Sequence, residues 1–577
     1  MQKNLLSWYP IEKEQNVLLV ADSAEQIMQM LEEKAKSVKA RPLESGSLDE
    51  EPYPVYDLII QIGVLEKQDE AENVWRSQIK KYYNLLKSDG KLLLTVPNRL
   101  GLKYFAGCQD EDSEYYFAGP QKYPHNEKKQ ALSRSEYRKI LREMGFASIC
   151  EYYPYPDYVK PTEIYSEKRI PAVGELAIAE YCSSKDRYLL FDEKKVFDSL
   201  INEEVFATFA NSYLFVCGKE LDSEKRETVI YSKYSLERAN DFQIRTDIVQ
   251  DADGNKKVRK VPMTTEASAH VHHMVTNCSL LNQSAKNTKV KYCEAFLNGE
   301  FVEFEWAKGT SLLSMLQTAI SSGDIEKAEH LLKDYAKRIR NMYTDGPVDI
   351  DLIPANVFVE GENWTIIDYE WTFSENIPVD WILYRAMLHL SMTLKGYDFA
   401  ELERLLDIIE VEKEKIPVYE EGESKFQSYL KGDMKEKGWS DTSCGQLIPF
   451  EGQKSEDEKK AERLMNVKEK DAKKLFYHLD RVEEKEGKIF LFGWACARTR
   501  KKEFIPVHLK IFDQEGNCIP MPIERLDRKD VAKALNAKES FSYWGFQTVF
   551  QKKQMCSYTL RMNSGTQQQE ILLETGI

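Results

Sequence analysis

Short apolar segments alternate with amphipathic segments over residues 1–220, and this alternation constrains the fold of the chain most strongly. Residues 16–22 and 57–65 are continuous apolar runs of strand length, as expected for strands that are buried on both faces. Residues 24–36 carry apolar side chains at helical spacing, and 91–96 form the next apolar run. Strands that alternate with helices in this way predict an α/β fold with a doubly wound, parallel, Rossmann-like sheet.

The length of 577 residues exceeds what one hydrophobic core supports, so we predict a multidomain α/β and α+β protein. Changes in pattern divide it into an α/β segment at 1–220, an α+β segment at 221–420, a charged helical connector at 421–474 and a small β-sandwich at 475–577. The last segment carries short alternating strands that are separated by polar turns.

The composition excludes some classes of function. The chain has 80 Lys and Arg against 95 Asp and Glu, a net charge of −15, which argues against a nucleic-acid partner bound by broad phosphate neutralisation. Ten scattered cysteines without a Cys-x-x-Cys pair predict reduced thiols in a cytoplasmic protein. No apolar stretch is long enough for a transmembrane segment. We expect a cytoplasmic location, and peripheral association with the inner face of the membrane stays open.

Two acidic residues and an asparagine flank an apolar hairpin in the middle of the chain. Asp351 and Asn356 precede the apolar run 357–359, a glycine-containing turn separates that run from 364–367, and Asp368 follows. Phosphoryl transfer requires a carboxylate that takes the proton of the acceptor hydroxyl, and oxygen ligands that hold Mg²⁺ against the phosphates. We therefore predict Asp351 as the catalytic base, with Asn356 and Asp368 as metal ligands. The alternative is a polar turn that Asp351 caps.

The Asp-x4-Asn pattern, followed by Ile-Ile-Asp-Tyr-Glu-Trp, resembles the catalytic core of the protein-kinase-like superfamily, in particular its aminoglycoside and small-molecule phosphotransferase branch. The resemblance implies a two-lobe kinase-like fold over 221–420, with Mg-ATP as its cofactor. One position departs from the family pattern, because Asp349 stands where the family has a histidine.

The same resemblance implies nucleotide-binding residues upstream of the hairpin. Lys260 would pair with the nucleotide phosphates from a strand, and Glu266 would be its partner at the start of the next helix. No glycine-rich loop precedes this strand. Ser235, Glu237 and Arg238 lie where the turn that covers the phosphates is expected, and Ser235 or backbone amides would replace the glycines. Glu305 would lie on the adenine side of the cleft.

Three stretches of the front segment carry a second resemblance. Residues 56–66 and 85–94 resemble the fourth strand and the following turn and strand of class I S-adenosylmethionine-dependent methyltransferases, and 97–107 resemble such domains in bacterial surface-polysaccharide proteins. That family binds its cofactor at a glycine-containing turn after the first strand. Here the aligned residues 19–26 contain no glycine, Leu19 stands where the family has an acid, and no acid ends the second strand. We therefore predict a methyltransferase-like fold that has lost S-adenosylmethionine binding.

The order of the two segments, over about 1–420, resembles the bifunctional enzymes that terminate O-antigen chains by phosphorylating and methylating the last sugar. This resemblance implies a bacterial protein of surface-polysaccharide assembly that phosphorylates a glycan or lipid-linked oligosaccharide, with glycosyltransferases as partners. Two alternatives stay open. One is an active S-adenosylmethionine-dependent methyltransferase of glycan modification, and the other is a non-catalytic scaffold for glycosyltransferases.

Overall fold

The computed structural model divides the chain into two compact units. The first unit contains residues 1–102, 118–181 and 193–439, and the second contains residues 103–117, 182–192 and 440–577. The structure describes residues 2–573 except for 23, 44–47, 49–53, 66–70, 111–112, 114, 126, 177–181, 183–186, 222–226, 286–287, 343–346, 375–376, 395–396, 433–446, 450–471, 486–487, 515–517, 520–522, 538–541 and 553–556.

The chain up to residue 218 contains the predicted strands and helices, which alternate in part, whereas β5, β6 and β7 follow one another. In chain order these elements are β1 (Asn16–Ala21), α1 (Glu25–Lys34), β2 (Ser37–Arg41), β3 (Tyr56–Ile62), α2 (Ala71–Leu85), β4 (Leu86–Pro97), α3 (Leu102–Phe105), α4 (Arg134–Glu143), β5 (Ser148–Tyr155), β6 (Glu163–Ser166), β7 (Arg187–Leu189), α5 (Glu193–Asn202), α6 (Phe206–Phe209) and β8 (Ser212–Gly218).

The front sheet has the doubly wound arrangement in part. Strands β2, β1, β3 and β4 are parallel neighbours in that order, which confirms the prediction for these four. Strand β8 inserts antiparallel between β4 and β5, so the sheet is mixed rather than purely parallel. Leu58, Ile60 and Leu93 are fully buried in one apolar cluster on this sheet, which explains why these strands have continuous apolar sequences.

The middle of the chain begins with strands and continues with helices, as predicted. Its elements are β9 (Thr228–Tyr234), β10 (Ile244–Gln250), β11 (Lys256–Pro262), α7 (Ala267–Ser284), β12 (Val290–Tyr292), β13 (Ala295–Asn298), β14 (Phe301–Glu305), β15 (Thr310–Ser311), α8 (Leu312–Ser321), α9 (Ile325–Met342), β16 (Val348–Asp349), β17 (Val357–Glu360), β18 (Asn363–Ile366), β19 (Thr372–Phe373), α10 (Val379–Thr393), α11 (Leu402–Ile408) and α12 (Ile416–Lys431).

Local signals set several of these boundaries. The hydroxyl of Ser311 caps α8 and accepts a backbone hydrogen bond from its first turn at 3.2 Å. Val357 pairs with Ile366, so the predicted hairpin is confirmed. Gly309, at φ +97°, precedes β15, and a β-carbon there would lie 2.4 Å from the carbonyl oxygen of Val359. Only glycine permits this close approach between the connection to α8 and the hairpin.

One sheet connects the front and middle parts of the first unit. Strand β9 pairs antiparallel with β6, where Ile164 is opposite Ser232, and the backbone N–H of Tyr234 donates to the carbonyl of Thr162 at 2.9 Å. The strand order β13-β14-β11-β10-β9 therefore continues through β6-β5-β8-β4-β3-β1-β2 in one sheet of 12 described strands. The five strands β13, β14, β11, β10 and β9 of the middle part therefore belong to this larger sheet.

The C-terminal strands form two antiparallel sheets, apart from β20 (Leu447–Pro449), which pairs parallel with β7. The other elements are β21 (Ala472–Lys485), β22 (Lys488–Thr499), β23 (Phe504–Pro506), β24 (His508–Asp513), β25 (Cys518–Ile519), β26 (Glu524–Leu526), α13 (Lys529–Ala534), β27 (Gly545–Gln551), β28 (Tyr558–Ser564) and β29 (Gln567–Leu573). One sheet has the order β21-β22-β27-β26 with β23 beside β22, and the other has the order β25-β24-β28-β29. Both contribute to one core, as Leu491 and Leu560 show. This is the predicted small β-sandwich.

Most of the predicted connector at 421–474 lies outside the described residues. The described part contains the end of α12, where Phe426 is buried in the core of the middle part, together with β20 and the start of β21. Among the described helices, none combines the length and the apolar character that a membrane span needs.

Candidate active site

The hairpin β17–β18 brings two of the predicted site residues side by side. The carbonyl of Asn356 accepts a hydrogen bond from the backbone N–H of Ile367 at 2.9 Å. Asn356 enters the hairpin and Asp368 leaves it, so this bond closes the open end of the hairpin between them. Asp368 has φ +59°, a left-handed conformation that few residues other than glycine adopt. This turn directs the Asp368 carboxylate towards β11.

Asp351 is held against the same end of the hairpin. The side-chain amide of Asn356 donates to the Asp351 carbonyl at 2.9 Å, which leaves the amide oxygen of Asn356 directed away from that bond. One carboxylate oxygen of Asp351 accepts from Nη2 of Arg385, on α10, at 2.9 Å. Asp351 is 14% exposed and Arg385 is 5% exposed, so this ion pair is largely shielded from water.

Three neighbours determine the charge state of Asp351. Burial raises its pKa, Arg385 lowers it, and the charge of Asp368 raises it again, so that the pKa lies above its ordinary value of 3.8. The repulsion from Asp368 also shows that the two carboxylates interact across the site. A carboxylate with a raised pKa accepts a proton more readily than an exposed one, which suits a general base.

Lys260 approaches this group from β11. Its ammonium forms ion pairs with Asp368, 108 residues further along the chain, and with Glu370, whose carboxylate oxygen lies at 3.2 Å. Burial lowers the pKa of Lys260, but the two carboxylates outweigh this effect and raise it above 10.5. Lys260 is therefore a buried, permanently charged group at the centre of the site.

The carboxylate that pairs with Lys260 beside Asp368 is Glu370. Glu266 is exposed at the start of α7, whereas Glu370 is buried and also pairs with Arg238 at 2.7 Å. Nε2 of His270, on the face of α7 that points to the site, lies 3.6 Å from Glu370. Burial raises the pKa of Glu370, but Arg238 and Lys260 lower it well below 4.5, so Glu370 is ionised.

The other two predicted nucleotide-binding residues are Ser235 and Glu305. They lie at opposite sides of the strand group β14-β11-β10-β9. Ser235 follows β9, and its backbone N–H donates to the carbonyl of Ile244 at 3.0 Å. Glu305 ends β14 and has an exposed side chain. Its backbone N–H donates to Glu294 at 3.3 Å, and its carbonyl accepts from the thiol of Cys293 at 3.0 Å. Both backbone groups of Glu305 are thus already occupied within the protein.

Asp349 supports the loop that carries the proposed base. Its Oδ1 accepts the backbone N–H of Asp351 at 2.9 Å. Its Oδ2 is buried and has no hydrogen-bond partner among the described residues. Burial and then the charge of Asp351 raise the pKa of Asp349 well above 3.8, so this carboxyl is stable in the neutral form. Asp349 is thus an uncharged acceptor for the backbone of the loop that carries Asp351.

Sequence reasoning did not assign a role to three charged residues that complete the site. Arg238 pairs with Glu370, Arg385 pairs with Asp351, and Glu423 on α12 accepts from Arg385 at 2.5 Å. Arg238 lies in the turn that the sequence analysis expected to cover the nucleotide phosphates. Arg385 carries a weaker signal, since it is a charged residue in a helix otherwise rich in apolar side chains, and Glu423 carries none, since its helix contains several other charged residues.

The oxygen atoms at the hairpin end fit a Mg²⁺ ion that also binds phosphate. Among the described residues, no group of three or more His, Cys, Asp or Glu side chains could hold a metal ion by itself. Mg²⁺ in nucleotide sites is commonly held by one or two protein oxygens together with phosphate oxygens and water. The amide oxygen of Asn356 and the carboxylate of Asp368, which already attracts the ammonium of Lys260, satisfy that requirement.

The carboxyl edge of the front sheet is closed by short contacts. Strand β1 ends at Ala21, and Oδ1 of Asp22 accepts from the backbone N–H of Leu43, after β2, at 3.0 Å. The buried Leu43 side chain lies against Gly63, after β3, where an added β-carbon would be 3.0 Å away. Doubly wound sheets bind their ligands at this edge, and here Leu43 covers part of it.

The parallel strands β2-β1-β3-β4 give the front part a Rossmann-like sheet, and the middle part combines antiparallel strands with helices around the hairpin. No protein-family model and no curated protein matches the sequence. Solved structures of methyltransferases and of macrolide phosphotransferases are each similar to part of the chain. A methyltransferase from Archaeoglobus fulgidus is 14% identical, with 37% of this chain and 91% of that chain covered and a TM-score of 0.24. Phosphoethanolamine N-methyltransferase 2 from Haemonchus contortus is 12% identical, with 38% and 52% covered and a TM-score of 0.22. The macrolide 2'-phosphotransferase MphH from Brachybacterium faecium is 11% identical, with 35% and 88% covered and a TM-score of 0.19.

Proposed function

We propose that the middle part of the chain transfers the terminal phosphoryl group of a Mg-nucleotide to a hydroxyl of a glycan or lipid-linked oligosaccharide. The observation that carries this proposal is the ion pair between the buried Lys260 and the partly exposed Asp368, with Asn356 beside Asp368. A strand lysine, an amide oxygen and a carboxylate meet there beside a second carboxylate, that of Asp351. Such a group can hold phosphates, a divalent cation and an acceptor hydroxyl at the same place.

Asp351 is the proposed general base. Its carboxylate would accept the proton of the acceptor hydroxyl as the oxygen attacks the terminal phosphorus and the bond to the leaving nucleoside diphosphate breaks. The bond from Arg385 fixes the orientation of this carboxylate. The side-chain amide of Asn356 fixes the backbone of Asp351, so the base and the metal ligand would move together.

Asn356 and Asp368 would hold Mg²⁺, which would neutralise charge on the phosphate oxygens. Lys260 would pair with the phosphates, since its charge is held at all physiological pH values by Asp368 and Glu370. When a nucleotide binds, the ammonium of Lys260 would keep Glu370 as its protein partner and exchange the contact with Asp368 for phosphate oxygens.

The acceptor class is inferred from the sequence. The resemblance to enzymes that terminate O-antigen chains supports a bacterial role in surface-polysaccharide assembly, with glycosyltransferases as partners and a location at the cytoplasmic face of the membrane. For the front part, the glycine-free turn and the Leu43 contact with Gly63 support loss of S-adenosylmethionine binding. The front part would then have a structural role in the first unit.

Thermal unfolding of the full chain tests this proposal. Mg-ATP at about 100 times its dissociation constant should stabilise the protein by about 2.7 kcal/mol, whereas ATP with EDTA and S-adenosylmethionine should each give no such shift. Asp368→Ala should remove the response to Mg-ATP. Asp251→Ala, in the exposed turn between β10 and β11, is the matched control and should retain it. A shift with S-adenosylmethionine alone would support the methyltransferase alternative, and no shift with either ligand would support the scaffold.

A further inference from the structure

The turn between β9 and β10, residues 235–243, closes over the candidate active site. It contains no glycine. The backbone N–H of Ala239 donates to the carbonyl of Leu430, at the end of α12, at 2.8 Å. The ring of Phe242 lies 5.0 Å from that of Trp371, two residues beyond Tyr369 on the other side of the cleft. The turn is therefore fixed to the lower lobe at two points.

Part of the backbone of this turn is already used within the protein. In glycine-rich turns, backbone N–H groups point at the phosphate oxygens. Here the N–H groups of Ser235, Ala239, Phe242 and Gln243 donate to carbonyls within the protein. A side chain of the turn is therefore a further candidate to balance the negative charge of a nucleotide.

Arg238 projects from the middle of this turn into the site. Its guanidinium pairs with Glu370 at 2.7 Å and lies 5.5 Å from the centre of the Trp371 ring. Its carbonyl accepts from the side chain of Gln243 at 2.9 Å, which fixes the backbone from which it extends. The charge of Arg238 also interacts with Asp368 and Asp351. The guanidinium thus lies close enough to the proposed metal ligand and the proposed base to interact with their charges.

One nitrogen of this guanidinium is left for a ligand. Nη1 of Arg238 is buried and has no hydrogen-bond partner among the described residues. A buried donor without a partner is costly, and the remaining donors form a planar fork that matches phosphate oxygens. The second cation that contacts Glu370 is Lys260, on β11, and Lys260 also pairs with Asp368.

We propose that Arg238 binds the phosphate tail of the nucleotide and takes the place of a glycine-rich turn. This inference rests on the proposed phosphoryl transfer. Nη1 would donate to an oxygen of the transferring phosphoryl group, while Glu370 holds the other side of the guanidinium. As the bond from phosphorus to the leaving oxygen breaks and the bond to the acceptor oxygen forms, Arg238 would balance the negative charge and exchange no proton.

The test compares nucleotides that differ only in their phosphates. Binding of ATP and of adenosine, each with Mg²⁺, is measured by calorimetry on the full-length wild-type protein, Arg238→Ala, Arg238→Lys and Arg259→Ala. Arg259 is the matched control, because it is an arginine on the same sheet that pairs with Glu227 and Glu303 instead. Arg238→Ala should weaken ATP binding by about 10- to 100-fold and leave adenosine binding unchanged. Arg238→Lys should restore part of the loss, since it keeps the charge without the fork.

The possible outcomes separate this inference from the proposed function. If the wild-type protein binds neither ligand, the proposed function itself fails. A second outcome is that the wild-type protein binds ATP and Arg238→Ala binds it equally or more tightly. In that case Arg238 only links the turn to Glu370, and the inference is overturned. Equal loss of ATP and adenosine binding in both Arg238 variants would indicate a collapsed cleft and would also overturn it.

Discussion

The guanidinium of Arg385 lies between the carboxylates of Asp351 and Glu423, at 2.9 Å and 2.5 Å. Arg385 is carried by α10 and Glu423 by α12, so the proposed base is connected through one buried cation to two helices of the lower lobe. The guanidinium also packs on the ring of Phe426, 4.5 Å from its centre. The position and the charge of the base therefore depend on packing between helices that lie outside the catalytic loop.

Replacement of Arg385 should change the pH dependence of phosphoryl transfer. The pKa of Asp351 is already above its ordinary value, and Arg385 is the neighbour that lowers it. Because transfer needs the deprotonated carboxylate, the rate should fall as the pH drops through this pKa, and Arg385→Gln should move that acidic limb to higher pH. The limb is measured as the pH profile of ATP turnover with water as acceptor.

The same variant should unfold more easily, by about 3–5 kcal/mol, because it leaves two buried carboxylates without their cation. Arg404→Gln provides the control, since Arg404 is a half-exposed arginine that pairs with Glu329 at 3.5 Å. An acidic limb that stays in place in Arg385→Gln would show that Asp351 is not the titrating base.

Replacement of Asp349 by asparagine should stabilise the protein at neutral pH. The folded-state pKa of Asp349 is raised well above 3.8, so the folded protein keeps a proton there that the unfolded chain releases. The free energy of unfolding is therefore lost as the pH rises above about 4, by about 1.4 kcal/mol per pH unit until the folded pKa is reached. Asp349→Asn keeps the acceptor for the Asp351 amide and removes this loss.

Melting temperatures at pH 5 and pH 7.5 measure this effect. The gap between the two values should be smaller in Asp349→Asn than in the wild-type protein. Asp349→Ala should instead be less stable at both pH values, since the backbone N–H of Asp351 loses its acceptor. An unchanged gap in Asp349→Asn would mean that Asp349 is ionised in the folded protein.

Glu370 pairs with Lys260 in the structure, whereas the sequence predicted Glu266. Variants of the two glutamates test which of them nucleotide binding needs. Glu370→Gln removes a buried carboxylate that contacts both Lys260 and Arg238, so we expect Mg-ATP binding to weaken by about tenfold or more. Glu266→Gln alters an exposed side chain and should bind Mg-ATP as the wild-type protein does. Isothermal calorimetry on both variants gives the answer, and the reverse result would restore Glu266 as the partner.

The middle part should not fold well when it is separated from the front part. Strand β9 pairs with β6, and a fragment of residues 228–432 would expose that edge of the sheet to other chains. We expect this fragment to aggregate, whereas the full-length protein should be monodisperse. Size-exclusion chromatography of the fragment and the full-length protein tests this. A well-folded 228–432 fragment would show that the shared sheet contributes little stability.

The features that the sequence predicted correctly depend on nearby residues. The hairpin around Gly361 follows from a few neighbouring side chains, so periodicity and turn residues were sufficient. The same reasoning singled out Asp351, Asn356 and Asp368, since all three flank one hairpin. Their assigned roles stay predictions until the variants are measured.

The features that the sequence did not predict depend on distant pairs. Glu370 is 110 residues from Lys260, and no periodicity links the two, so the nearer Glu266 was the natural expectation. Arg385 reaches Asp351 only because α10 packs beneath the catalytic loop. The pairing of β6 with β9 was also unpredictable, because the sequence pattern assigns β6 to the first segment and β9 to the second, and nothing in it links the two strands.

The shared sheet has a consequence for how the two folds can diverge. Tyr234 ends the strand that borders the front sheet, and the turn that carries Arg238 begins at the next residue. The front fold fixes the anchor of that turn, and any slip in the β6–β9 register would displace the guanidinium from the cleft. Selection on the turn that carries Arg238 would then also act on the front fold, whether or not the front fold binds a cofactor itself.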